Sequence, residues 1–233
     1  MQYSTFAAID IGSYDVILEI FEISKKQGIR SVDKICHRME LGKDTYTLGK
    51  IRPEMEEELC RVLADFVRIM EGYRVDAYRA MASSAISEAA NSLYVLGKIR
   101  QLTGLSVTVL SNSEQRFLGY KALAAMEDNF NKVIDKGTAI LDLDGGSFQI
   151  SLFDKDALVT TQNIRMGSLR IRERLAGIQS ETEHYEEMVE ELIWNEVSSF
   201  KKMYLQDRKI ENIMLIGDVF TDSVYQNLSL IHI

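Results

Sequence analysis

Leu141-Asp142-Leu143-Asp144-Gly145-Gly146-Ser147-Phe148-Gln149-Ile150 is an apolar run, an acid, a tight Gly/Ser turn and a second apolar run. A run broken by a glycine turn and then resumed reads as a β-hairpin. Turn glycines let the backbone approach a ligand closely, and successive N–H groups there can point at an anion. An Asp just ahead of such a turn can hold a divalent cation, for magnesium usually through water. The N-terminus carries a partner stretch, Ala8-Ile9-Asp10-Ile11-Gly12-Ser13-Tyr14-Asp15-Val16-Ile17. Two copies of one plan predict two similar half-domains that grip one phosphate and its metal from opposite sides. The plainer reading, ordinary hairpins with turn residues, suits either copy alone better than it suits the pair.

Composition sets bounds. The chain has 233 residues, 46% apolar and 27% charged, with one Pro and 14 Gly. That is a globular balance without room for a long linker. A formal net charge of −8 argues against nonspecific binding to nucleic acid or anionic lipid. It leaves a phosphate ligand open, because backbone N–H groups and a metal can neutralise a local site. Cys36 and Cys60 have neither metal spacing nor a disulfide framework. No signal peptide or membrane-length apolar run is visible, so a reducing cytoplasm is the expected setting.

Residues 6–23 read as strand, turn and strand, with Val16, Leu18 and Ile20 alternating against Ile17, Glu19 and Phe21. Asp15 reads as a solvated turn acid. Residues 29–42 read as a third strand and its exit. Pro53 opens an amphipathic helix reaching residue 73, with Leu59, Val62, Leu63, Phe66, Ile69 and Met70 at helical spacing. Its acids Glu54, Glu56, Glu57 and Glu58 read as a dipole-compensating, solvated face, not a metal site. Residues 75–82 read as a strand feeding a helix that starts at Ser83-Ser84 and runs to Thr103, with Gly104 as its stop. Such a junction is where α/β folds place ligand sites, so Ser83 and Ser84 either cap the helix or face a cleft.

Residues 105–110 read as a strand. Ser111-Asn112-Ser113 then caps a helix beginning at Glu114, an acid suited to the helix dipole or to orienting an attacking water. Residues 138–163 repeat the opening hairpin and add a third strand. Helices at 168–176 and 181–206 and a strand from Asn212 to Ile216 follow, and the final LSLIHI carries no pairing signal. His37, His184 and His232 stand alone, which argues against a histidine-based centre.

The element order resembles the duplicated plan of the actin/Hsp70/sugar-kinase fold. Five stretches, AIDIGSYDVILEI, RAMASSAISEAAN, VLSNSEQRFLGY, LDLDGGSFQI and IRMGSLRIRERL, resemble in order and spacing the exopolyphosphatase/guanosine pentaphosphate phosphatase (Ppx/GppA) family. The resemblance implies an α/β fold of two ribonuclease H-like (actin-like ATPase) half-domains, 1–120 and 121–233, with a cleft between them and the second half incomplete. It implies hydrolysis of a terminal phosphoanhydride of polyphosphate or pppGpp. Mg2+ would be held by Asp10 and Asp142. N–H groups around Gly12 and Ser13, and those of Gly145, Gly146 and Ser147, would cradle phosphates, with Ser83 and Ser84 beside them. Glu114 would orient the water, and Gln149 stands where the family closes its second loop with Glu. The implied partners are polyphosphate or a guanosine nucleotide, with a homodimer allowed and neither membrane nor nucleic acid expected.

Five departures work against the reaction. Ser87 replaces an Arg, Gln115 and Gln149 each replace a Glu, Asp144 replaces a loop Gly, and Asp15 replaces a Ser. Each removes positive charge, removes a carboxylate or adds negative charge. Two readings follow: a magnesium-dependent phosphoanhydride hydrolase, or a degenerate member that binds polyphosphate, nucleotide or a protein without turnover. A sugar kinase of the same superfamily fits less well, for want of an adenosine-binding pattern.

Overall fold

The computed structural model describes residues 3–126, 130–176, 184–206, 208–217 and 231–232. The chain divides into two compact units, Met1–Gln115 and Arg116–Ile233. The division falls inside a helix, Asn112–Met126, which also contains the boundary set from the sequence.

The first unit runs β1 (Ser4–Ile11), β2 (Asp15–Ser24), β3 (Gly28–Arg38), α1 (Leu41–Leu48), α2 (Pro53–Gly72), β4 (Ala77–Ala82), α3 (Ser84–Ser87), α4 (Ser92–Thr103), β5 (Val107–Val109) and the start of α5 (Asn112–Met126). Its sheet has the order β3-β2-β1-β4-β5, antiparallel through β3, β2 and β1 and parallel from β1 to β5. The period-2 pattern is met: Ala7, Ile9 and Ile11 of β1 and Val16, Leu18 and Ile20 of β2 are buried. Leu59, Val62, Leu63, Phe66 and Met70 of α2 join the same core with Val95 and Ile99 of α4. Each fully buried Leu or Ile contributes about 2 kcal/mol.

Three local expectations are corrected. Residues 41–48 form α1, which the sequence reading passed over. The helix read from Ser83 to Thr103 is two helices. The break falls where Asn91 turns its side chain to the α1–α2 loop, accepting from Ile51 N (3.0 Å) and donating to Ile51 O (2.8 Å) and Glu56 Oε1 (2.8 Å). Glu56 is not on a solvated face: it is 3% exposed and also receives Lys98 Nζ at 3.3 Å. Its carboxylate is buried because it has these partners.

The second unit runs α6 (Phe130–Ile134), β6 (Thr138–Leu143), β7 (Phe148–Asp154), β8 (Ala157–Ile164), α7 (Ser168–Leu175), α8 (Tyr185–Phe200), a π-helical turn (Lys201–Leu205), β9 (Asn212–Ile216) and β10 (Ile231–His232). Its sheet has the order β10-β9-β6-β7-β8. The β6–β7–β8 meander and the parallel β9 repeat the first unit's β1–β2–β3 and β4. The pairing of Ile231–His232 with β9 is antiparallel, unlike β5 on β4. On one face Ile140, Phe153 and Met214 pack with Leu123, Phe130 and Ile134. On the other, Phe148, Ile150, Leu152 and Ile164 pack with Phe200. Residues 181–183 and 218–230, which include parts of the expected last helix and of the LSLIHI ending, lie outside the described residues. No helix among the described residues is long and apolar enough to cross a membrane.

Both units fix their first turn in the same way. In the first, Gly12 N–H closes the turn onto Asp15 O (2.9 Å). Ser13 O then accepts from Gly42 N in α1, and Tyr14 O accepts from Met39 N and Glu40 N, all at 2.9 Å. In the second, Asp144 N–H closes the turn onto Ser147 O (3.0 Å). Asp144 O accepts from Ser168 N and Gly145 O from Arg170 N, both at 3.1 Å. Arg170 Nε adds a bond to Gly146 O at 2.9 Å. The helix after the third strand thus spends its unpaired N-terminal N–H groups on the turn's carbonyls.

Gly167 permits the second brace. A Cβ there would lie 2.4 Å from Asp144 O and from the Gly145 carbonyl. Gly97 in α4 is the contrast, with nothing within 4 Å of an added Cβ. In urea unfolding, Gly167→Ala is expected to cost about 1–3 kcal/mol as an overpacked site, whereas Gly97→Ala is expected to add up to about 1 kcal/mol of helix stability. Equal effects of the two substitutions would contradict the brace.

Candidate active site

β1 delivers Asp10 one residue before its end, opposite Ile17 of β2 and Met81 of β4. Asp10 is open to solvent on one side, yet protein atoms crowd it enough to push its carboxyl from 3.8 up to about 6. Among the described residues no opposite charge counters that burial. Peptide planarity sets the donors: all bonds here are trans, so each N–H points opposite to the preceding carbonyl. With the carbonyls of Ser13 and Tyr14 turned to the α1 side, the N–H groups of Tyr14 and Asp15 point the other way. Gly12 spends its own N–H inside the turn, and the N–H groups turned away from α1 are those of Tyr14 and Asp15. Arg38 stacks on the Tyr14 ring at 4.5 Å from its centroid and lies 3.8 Å from Asp15 Oδ1. It offsets part of the acid's charge, so Asp15 is not simply a solvated turn residue.

Three hydroxyls meet behind this turn. Tyr46 Oη lies 2.7 Å from Ser13 Oγ and 2.8 Å from Ser84 Oγ, and the two serine oxygens are 3.4 Å apart. Ser13 is 3% exposed and Ser84 is half-buried. Tyr46 sits on α1, which the sequence reading had not placed. Ser83 is the residue before α3; its N–H donates to Ile11 O at 3.2 Å and its side chain makes no cap bond. Ser87 is exposed at the end of α3.

In the second unit Asp142 stands opposite Gln149 of β7 and Ile216 of β9. Gln149 in turn faces Asn163 of β8. Directly paired residues share a sheet face, so Asp142, Gln149 and Asn163 form one polar row. Gln149 is 7% exposed, and its amide cannot take a proton. Because Asp144, Gly145 and Gly146 turn their carbonyls to α7, the N–H groups of Gly145, Gly146 and Ser147 point away from it. Three successive N–H groups of this kind form an anion nest. One register step along the same face, Arg116 donates to Thr161 Oγ1 (3.0 Å), Thr161 lies 3.2 Å from Ser151 Oγ, and Tyr120 donates to Ser151 (2.5 Å). The sequence reading gave no role to Arg170, which it quoted in the MGSLR stretch, and did not read the row of Arg116, Thr161, Ser151 and Tyr120.

Glu114 serves its own helix. Its Oε2 accepts from Ser111 N (2.9 Å) and Ser111 Oγ (2.7 Å), while Glu114 N donates to Ser111 Oγ (3.3 Å). This is a reciprocal cap. The Ser111 backbone bond, then the Ser111 hydroxyl bond, hold the Glu114 carboxyl below its usual range. Among the described residues no three His, Cys, Asp or Glu side chains gather as a metal cluster. Asp10 in the first unit and Asp142 in the second are each oxygen donors of the kind a hard cation takes together with water and phosphate oxygens. A cavity of about 550 Å³ on the opposite face of the second sheet, lined by Leu141, Phe148, Ile150, Val197 and Phe200 among others, is almost wholly apolar and ill suited to a polyanion.

Comparison with known proteins places this geometry. The chain is 22% identical over 174 residues to the bifunctional 3-dehydroquinate synthase/phosphatase of Fusobacterium nucleatum, covering 72% of this chain and 26% of that protein. It is 25% identical over 144 residues to exopolyphosphatase 1 of Mycobacterium leprae, covering 61% of this chain and 41% of that one. It therefore spans well under half the length of these relatives. The crystal structure of the Aquifex aeolicus Ppx/GppA family member superposes with a TM-score of 0.70 at 22% identity, over 97% of this chain and 72% of that chain. The two sheets and their repeated meanders are those of its actin-like fold. The sequence profile of the Ppx/GppA phosphatase family matches residues 19–232, and the chain belongs to that family.

Proposed function

We propose that this chain hydrolyses the terminal phosphoanhydride of inorganic polyphosphate or of guanosine pentaphosphate with magnesium, for which Asp10 in the first unit and Asp142 in the second are the candidate ligands. The supporting observation is the second turn: its N–H groups at Gly145, Gly146 and Ser147 are aimed by α7 beside Asp142. The exopolyphosphatase relative supports the substrate class. Each turn offers backbone donors to phosphate oxygens, Tyr14 and Asp15 in the first unit and Gly145 to Ser147 in the second. Ser84 adds a hydroxyl donor. Magnesium, when bound, neutralises the charge that develops on the transferred phosphoryl group.

Water attacks the terminal phosphorus in line, the bridging P–O bond breaks, and orthophosphate leaves with the shortened chain as co-product. Such transition states are loose and ask for little early proton transfer. Glu114, acidified by its cap bonds, therefore suffices to orient the water and receive its proton late. Gln149 contributes only hydrogen bonds.

Gln149 also favours a second reading, binding of the same anions without turnover, because the side chain facing Asp142 is an amide. One assay separates the two: orthophosphate release from each substrate with and without magnesium. Hydrolysis predicts magnesium-dependent release that Asp142→Ala lowers by about 100-fold or more. Binding of polyphosphate with no release would replace the first reading by the second.

Asp10 gives a pH prediction. Its folded value, about 6, exceeds the ordinary 3.8, so without metal the folded state holds this proton more tightly. Stability tied to that proton is full below about 4 and lost as pH rises through about 6. A fully desolvated shift of this size is about 3 kcal/mol; solvent access at Asp10 reduces it to about 1 kcal/mol. Without magnesium, Asp10→Asn is therefore expected to raise the melting temperature at pH 7.5 and to change it little at pH 4. With magnesium at pH 7.5, the wild type is expected to gain and the variant not. The same shift at both pH values would rule out an uncompensated charge.

A further inference from the structure

The hydroxyl group of Tyr46 lies between two serines of the proposed phosphate site, 2.7 Å from Ser13 Oγ and 2.8 Å from Ser84 Oγ, and either oxygen of each pair can be the donor. Ser13 is 3% exposed, and its own contact with Ser84 Oγ is the long one, at 3.4 Å. Ser84 is the more exposed of the two serines. A chain of aligned hydroxyls polarises its last member, which donates best to a charged oxygen.

The tyrosine is held for this task. Just before it in α1, Thr45 Oγ1 donates to Ala85 O at 2.7 Å, and Asp44, 2% exposed, receives Arg52 N and Nε at 3.0 and 2.9 Å. Gly42 of the same helix bonds Ser13 O. One short helix thus fixes the Ser13 carbonyl, the Ala85 carbonyl and the Tyr46 ring.

We propose that Tyr46 is a positioning residue for phosphate binding: it orders a hydroxyl chain from Ser13 through Tyr46 to Ser84, so that Ser84 donates to a phosphate oxygen of the ligand. This rests on the reading of the site as a phosphate-chain site and names its ordering element.

The test is calorimetric binding of inorganic tripolyphosphate with magnesium to the wild type, Tyr46→Phe, Ser84→Ala and the double variant. Tyr46→Phe is expected to weaken binding about tenfold, as for loss of one hydrogen bond to a charged group. Ser84→Ala is expected to match it, and the double variant to be no weaker than either single one, because Tyr46 acts through Ser84. A purely structural tyrosine would give additive losses. Wild-type affinity in Tyr46→Phe, or additive losses in the double variant, would overturn the proposal while leaving the phosphate reading intact. Absence of tripolyphosphate binding by the wild type would overturn that reading and this proposal with it.

Discussion

The bonds from a helix N-terminus to the carbonyls of a tight turn are what the candidate site depends on. A turn between two strands has peptide groups that face either way. Turning Asp144, Gly145 and Gly146 carbonyls toward α7 commits the next three N–H groups to the opposite side. Turning Ser13 and Tyr14 toward the α1 side does the same for Tyr14 and Asp15. The helix gains partners for donors that its own geometry leaves unpaired, and the turn becomes a fixed set of positive dipoles. The two units reach this arrangement with different residues. The first closes on Gly12 and Ser13, the second on Asp144 and Gly145, with Asp10 and Asp142 at the same strand position before each turn.

What was legible in the sequence is what periodicity and turn chemistry encode. The β1–β2 and β6–β7 hairpins announce themselves through alternating apolar residues around Gly and Ser, and α2 through Pro53 and its apolar stripe. α1 was not legible. Its eight residues begin after Glu40, which has a left-handed backbone (φ 51°) and makes no side-chain cap bond. Contacts with Ser13, Ala85 and Arg52 hold it in place of any local signal. Tyr46 was lost with it. Glu56 was misread because one acid among four on a helix looks solvated until Asn91 and Lys98, distant in sequence, arrive beside it. The break after α3 has the same origin, since Asn91 looks like a helical residue until its bonds to Ile51 are seen.

The departures from the family pattern now have surroundings. Asp144 occupies the turn position that Gly12 fills in the first unit, and its carbonyl is part of the brace. Asp15 has Arg38 nearby. Gln149 keeps the position of an acid without its charge, in a row with Asp142 and Asn163. The backbone N–H groups of the turns are oriented by the brace and not by these side chains, whereas an acid–base role at position 149 ends with the loss of the carboxylate.

The proposed function turns on Asp142 beside the braced second turn. Magnesium-dependent affinity for polyphosphate, measured for the wild type and Asp142→Asn, reads this directly. The account predicts that Asp142→Asn removes most of the magnesium-dependent affinity. Wild-type affinity in the folded variant would contradict the account.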